Sequence, residues 1–337
     1  MVVHAVARLL VAFTVLPFPA SSAAAPLAGA AGAALREDDS AASVQLLQVR
    51  AQRAKPLVFS GSATTLLESA RPLAWVHIPK CGSSFANSFI HTPGLCPSLP
   101  PDTVINRTMF CRYCNKYNED LLKNFRSTYN LDTFCPGSFT KWGVHEGVGS
   151  KYEQQYRGHG VMMLRQPEQR LISSFFHHQH DWPHFYPLPP PPPPEYARVL
   201  QGCMVKTLTR DFDRTDPCGS ALPSVLPGEL DMAKERLRTL AFVGLTEEWA
   251  LSICLFRAMF GGLCYGSDFE DVRLRPGTAP PTKDAHPTDM LEGFVDKYDG
   301  ELYEHARDLF ANNTRKYGIS NAACQPCYDH AATHWAP

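Results

Sequence analysis

Leu73-Ala74-Trp75-Val76-His77-Ile78 runs directly into Pro79-Lys80-Cys81-Gly82-Ser83-Ser84-Phe85. A short apolar run that ends in a Pro-Lys-Cys-Gly turn reads as a buried β-strand and its exit. Ser83 to Ile90 then reads as a helix, with Ser83 or Ser84 suited to cap it. Strand, tight turn and helix start in immediate succession form an anion site, because the first backbone N–H groups are free and the positive end of the helix dipole lies there. Gly82 permits close backbone approach, Ser83 and Ser84 add hydroxyl donors, and Lys80 supplies a full positive charge. Taken alone, the same residues also fit an ordinary strand-to-helix turn with an exposed lysine.

The pattern repeats downstream. Val161-Met162-Met163-Leu164 enters Arg165-Gln166-Pro167, and a helix follows with Leu171, Ile172 and Phe175 on one face. Arg165 leaves the strand end with a rigid donor fork suited to phosphate oxygens. Ser173 lies two turns into the helix, where its hydroxyl can face the same groove. Phe139 to Val144 and Ala241 to Leu245 read as further strands, and Thr246 as the cap of a helix running to about Phe260. Helical patterns cover Glu119 to Tyr129, Glu195 to Arg210, Glu229 to Leu240 and Thr288 to Tyr317, while the six prolines from Pro189 to Pro194 read as polyproline II or loop. Strands alternating with helices predict an α/β fold with a mainly parallel central sheet flanked by helices.

The first turn is not a Walker A loop, which needs its lysine after the glycines; here Lys80 precedes the only glycine. His77 to Phe85 resembles instead the H-I-P-K phosphosulfate loop of Golgi carbohydrate sulfotransferases, with most likeness to the heparan sulfate and uronyl 2-O-sulfotransferases. Val161 to Ser173 resembles the same family's L-R-[DE]-P-x-x-R-x-x-S element, with Gln166 standing where Asp is more usual. The resemblance spans about Leu73 to Ile319 and is specific in these two motifs. It implies a P-loop-like three-layer α/β fold, the donor PAPS (3′-phosphoadenosine-5′-phosphosulfate), no required metal and a glycan or glycoconjugate acceptor. Pro79, Lys80, Cys81, Gly82, Ser83, Ser84 and Phe85 would then cradle the 5′-phosphosulfate, with Lys80 stabilising the departing phosphate. Arg165 and Ser173 match the 3′-phosphate ligands. Arg170 matches the motif too, with a structural role as its simpler reading.

Two weaker likenesses accompany these. Ala241-Phe242-Val243-Gly244-Leu245-Thr246-Glu247-Glu248-Trp249 resembles the family's strand and helix start near the nucleotide, and Val272 to Thr278 occupies the position of a basic donor-binding loop, with Arg275 as its candidate ligand. Sulfuryl transfer to a hydroxyl needs a proton acceptor poised near neutral pH, which histidine meets best. Of thirteen histidines, His145 follows a strand between the two motifs, where the 2-O-sulfotransferases carry a histidine segment. It is the candidate base, with Glu146 in reserve and a non-catalytic surface histidine as the bland alternative.

Composition narrows the classes further. The 337 residues carry a net charge of -1, with 19% charged, which argues against a nucleic-acid binder. Arg8, the apolar run Leu9 to Val15 and the small residues Ala20 to Ala25 describe residues 1–25 as a signal peptide, with a signal anchor or bipartite leader as alternatives. Eleven cysteines and the sequons at Asn106 and Asn312 fit the secretory route, in the Golgi lumen or outside the cell. Residues 26–71 read as a stem, 72–320 as the catalytic domain and 321–337 as a cysteine-containing tail. The pairs Cys111/Cys114 and Cys324/Cys327 stand too far apart for a zinc ribbon and read as disulfide cysteines, Cys81 as a free thiol and Cys254 as core. His177, His178, His180 and His184 read as an acceptor-side surface rather than a metal cluster. Two other functions stay open: a P-loop-type nucleotide-dependent kinase, and an inactive secreted glycan-binding protein on the same fold.

Overall fold

A computed structural model describes residues 62–100, 102–105, 134–142, 145–176, 191–213, 215–270 and 288–337, all of them within the compact unit Ala54–Pro337. Four strands form one parallel sheet: β1 (Leu73–Val76), β2 (Phe139–Trp142), β3 (Gly160–Leu164) and β4 (Phe242–Leu245), in the order β2-β1-β3-β4. Every residue of β1, β3 and β4 is buried. Both sheet faces are therefore covered, and the strands consist of unbroken apolar runs. β2, at the edge, buries only Trp142 and keeps Thr140 and Lys141 accessible.

Helix α1 (Ser62–Ala70) precedes β1, and a single turn, Ser83–Phe85, leads into the short α2 (Ala86–Ile90). α3 (Pro167–Phe176) follows β3, and then come α4 (Pro193–Leu200), α5 (Cys203–Thr209) and α6 (Glu229–Arg238). After β4 run α7 (Trp249–Phe260), α8 (Lys297–Lys316) and α9 (Gln325–Thr333). α7 is buried all along Ser252–Phe260, since β4 covers one side of it and α1 another. Phe85, Phe89, Phe242 and Phe256 join edge-on or stacked to fill the space between sheet and helices.

Several boundaries differ from the sequence expectation. Leu67 and Ala70 of α1 are buried, so packing starts inside the segment read as stem. Pro193 and Pro194 open α4 instead of continuing an extended run; the first turn of a helix leaves its N–H groups unbonded and so tolerates proline. Gly82, not Ser83 or Ser84, is the residue at the helix entry, and no side chain caps it. Thr246 likewise does not cap α7, which starts after Glu248. The long final pattern is broken: Asp296 caps α8 by accepting from the Asp299 amide at 3.1 Å, and only Thr288–Leu291 of the earlier part is helical.

Cys254 lies in the core, as expected, and is bonded there to Cys324, while Cys264 is bonded to Cys327. The two crosslinks, with the Gly266 and Ser267 amides donating to the carbonyls of His334 and Trp335, fasten the C-terminal segment to the domain. Cys96–Cys135 and Cys203–Cys218 complete the disulfides among the described residues. No described helix is long and apolar enough to cross a membrane.

Candidate functional site

β1 and β3 are neighbours, with Trp75 opposite Val161 and Val76 opposite Met162. The chain passes from β1 to β2 on one side and from β3 to β4 on the other. The two middle strands thus have diverging exits, and in open α/β sheets such a switch point leaves a crevice at the carboxyl ends of the strands. Both motifs empty there. The Pro79–Phe85 loop follows β1 and Arg165 follows β3, so residues far apart in sequence leave neighbouring strands at the same end of the sheet.

Within the first loop, the Cys81 amide donates to the Ile78 carbonyl at 3.2 Å and that of Phe85 to Gly82 at 3.0 Å. Lys80 has φ 67° and Gly82 φ 74°. The left-handed region is natural for glycine but costs a residue with a Cβ about 1–2 kcal/mol, and such outliers gather at functional sites. Gly82 has a second constraint. A Cβ there would lie 2.7 Å from the Trp249 ring and 3.2 Å from the Thr246 methyl. The β4–α7 segment is thereby packed directly beneath the loop. Pro79, Cys81, Ser84 and Phe85 are buried, whereas Lys80, Gly82 and Ser83 are partly accessible.

Burial pushes the Cys81 thiol up to about 12, an effect that the positive charges of Arg170 and then Arg165 partly oppose. The thiol is neutral at physiological pH, and the field of Arg165 reaches the first loop.

In the second turn, Arg165 is partly accessible and Ser173 is buried on α3. The Gln166 side chain accepts from the Gln169 amide at 2.7 Å and so satisfies an open amide of the helix start. Arg170 is fully buried, donates to the Leu200 carbonyl at 3.2 Å and stands 3.9 Å from Asp299. Its role is structural.

The candidate base is also close. The His145 ring lies 4.7 Å from that of His77, which stacks at 4.4 Å on Trp75 of β1. The His145 segment is moored from below. Gly147 donates to the Phe212 carbonyl and Val148 to that of Thr207, both at 2.8 Å, and a Cβ on Gly147 would fall 2.1 Å from the Arg210 carbonyl. Glu146, the reserve candidate, pairs with Lys141 at 3.0 Å. Arg275 and the four histidines between His177 and His184 lie outside the described residues, as do Cys111 and Cys114. No cluster of three His, Cys, Asp or Glu among the described residues could hold a metal ion.

One residue of the site went unassigned in the sequence reading. Glu247, in the turn after β4, accepts the Gln166 amide on one carboxylate oxygen at 3.0 Å. Its other oxygen accepts the hydroxyls of Tyr303 at 2.7 Å and Thr246 at 3.2 Å. A cavity of about 380 Å³ lies elsewhere, lined by Ile90, His91, Pro93, Leu99 and Tyr265 among others, and none of the strand-end residues takes part in it.

No protein-family model matches the chain, and neither does any curated protein or solved structure.

Proposed function

We propose that the protein is a PAPS-dependent sulfotransferase with a P-loop-like fold that transfers a sulfuryl group to a glycan hydroxyl. The observation that carries this reading is the convergence of two strand-end turns, one bearing Lys80 and the other Arg165, at the carboxyl ends of adjacent parallel strands. A nucleotide phosphorylated at both ends needs two cationic, amide-rich grips, and a switch-point crevice is where such a ligand fits.

The transfer would run in line. His145 takes the proton of the acceptor hydroxyl, the oxygen forms its bond to sulfur, and the bond from sulfur to the 5′-phosphate oxygen breaks with its electron pair on the phosphate. Lys80 and the loop amides that follow Cys81 stabilise that negative charge, while Arg165 and Ser173 hold the nucleotide by its 3′-phosphate. The products are adenosine 3′,5′-bisphosphate (PAP) and a sulfated glycan. Four disulfides among the described residues are compatible with a lumenal or secreted protein; Golgi residence belongs to the proposal.

The test is sulfate transfer from labelled PAPS across a panel of uronic-acid polymers and galactosides. Lys80→Ala and Arg165→Ala should each abolish it. Wild-type binding of PAP without turnover on any acceptor would favour the inactive glycan-binding alternative, and magnesium-dependent phosphate transfer from ATP would favour the kinase. Activity retained in both variants would remove the two turns from the site.

A further inference from the structure

Glu247 is an anion held beside the proposed grip for a bisphosphorylated nucleotide. Its charge reaches the first loop, where it adds to the upward shift of the Cys81 thiol. For binding an anionic ligand this is unfavourable by simple Coulomb repulsion, so the carboxylate needs another use. Its contacts supply one. They join three elements that are separate in sequence: the turn after β4 that carries Glu247, the Gln166 amide next to Arg165, and Tyr303 on α8.

The Gln166 amide lies at the end of β3, where no neighbouring strand continues to take it, and Pro167 brings no N–H to the helix start. A backbone donor at such a place needs an acceptor from elsewhere. Tyr303, buried on α8, donates to the second oxygen and thereby fixes the rotation of the side chain. Burial, and then the hydrogen bond to Glu247, push the Tyr303 hydroxyl far above its ordinary range, so it stays a donor at every working pH.

We propose that Glu247 is a positioning residue: braced by Tyr303, it anchors the Gln166 amide and so holds the Arg165 turn ready for the 3′-phosphate. The inference rests on the sulfotransferase reading for its ligand. Glutamine at this position keeps an oxygen for the amide and a polar group for Tyr303 but removes the charge. Alanine removes the anchor.

Two measurements on the full chain test it. The first is amide hydrogen exchange of the nucleotide-free protein over residues 165–169. Glu247→Ala should raise exchange there, and Glu247→Gln should leave it near wild type. The second is calorimetric titration with PAP and, as a control lacking the 3′-phosphate, with adenosine 5′-monophosphate. Loss of one hydrogen bond to a fixed turn should weaken PAP binding by up to about tenfold in Glu247→Ala. Glu247→Gln should bind PAP as well as wild type or more tightly, and the monophosphate should bind all three proteins alike. Equal exchange or equal PAP affinity in Glu247→Ala and wild type would overturn the brace. So would equal weakening of PAP and monophosphate, which is what general unfolding produces. A wild-type chain that binds no PAP would instead bring down the sulfotransferase reading and, with it, the ligand named here.

Discussion

Lys80 and Gly82 share a left-handed backbone, and only one of them is a glycine. The strain at Lys80 is what a loop accepts in order to keep a charge at a chosen point. Lys80→Gly should therefore hold its stability or gain up to about 1 kcal/mol, since the strain is relieved, while nucleotide binding disappears. Urea denaturation followed by PAP titration reads both. Gly82→Ala is the opposite case. It meets the Trp249 ring and needs a positive φ, so it should lose more than about 1 kcal/mol of stability and disturb the loop as well. At this scale the sequence was informative wherever residue type alone carries the chemistry. Lys80, Arg165 and His145 could be proposed from the sequence because charge and spacing are local properties. Glu247 was not. Its value comes from an amide 81 positions away and a hydroxyl 56 positions away, which only the folded chain brings to it.

Elements were legible where hydrophobic runs are unbroken, which is why β1, β3 and β4 match the expected strands within a residue or two. Breaks inside polar helical stretches were not, because a cap is chosen by tertiary contacts. Asp296 and Asp299 illustrate this. Besides capping α8, Asp296 accepts the Gly202 amide at 2.8 Å, and Asp299 accepts those of Met204 and Val205 at 3.0 Å, so two carboxylates of α8 finish the start of α5. Both are fully buried. Burial and then the neighbouring Asp296 push Asp299 up to about 7, from an ordinary value of 3.8. Across that interval the folded chain keeps a proton that the unfolded chain has released, so stability should fall as pH rises from about 4 to 7. Asp299→Asn still offers one oxygen to the amides and should flatten this slope in urea denaturation curves. A slope unchanged by the substitution would move its origin to other groups. Lys206 works in the opposite sense and in another window. Burial pulls it down to about 8 from 10.5, and its effect adds stability only as pH climbs between those values.

For the whole molecule, the α/β class followed from strand and helix alternation, but the closure of the chain on itself did not, since cysteine spacing leaves connectivity open. Residues 321–337 are fastened to the domain through the buried Cys324 and Cys327. Replacing Cys324 and Cys327 together by serine opens two overlapping loops, of 70 and 63 residues, and should cost more than the roughly 4 kcal/mol that one such loop is worth on a chain-entropy basis. Limited proteolysis should then cut near α9 well before it touches the sheet. Undiminished stability in that variant would show that the hydrogen bonds from Gly266 and Ser267 suffice to hold the segment. The same connections impose an order on biosynthesis. Cys254 and Cys264 emerge from the ribosome long before their partners, with 70 and 63 positions of chain still to follow. During that delay the two thiols sit ten positions apart in a nascent helix and its exit, free to join each other or to capture Cys81. A bond formed early between them would have to be exchanged before α9 could be fastened as it is here.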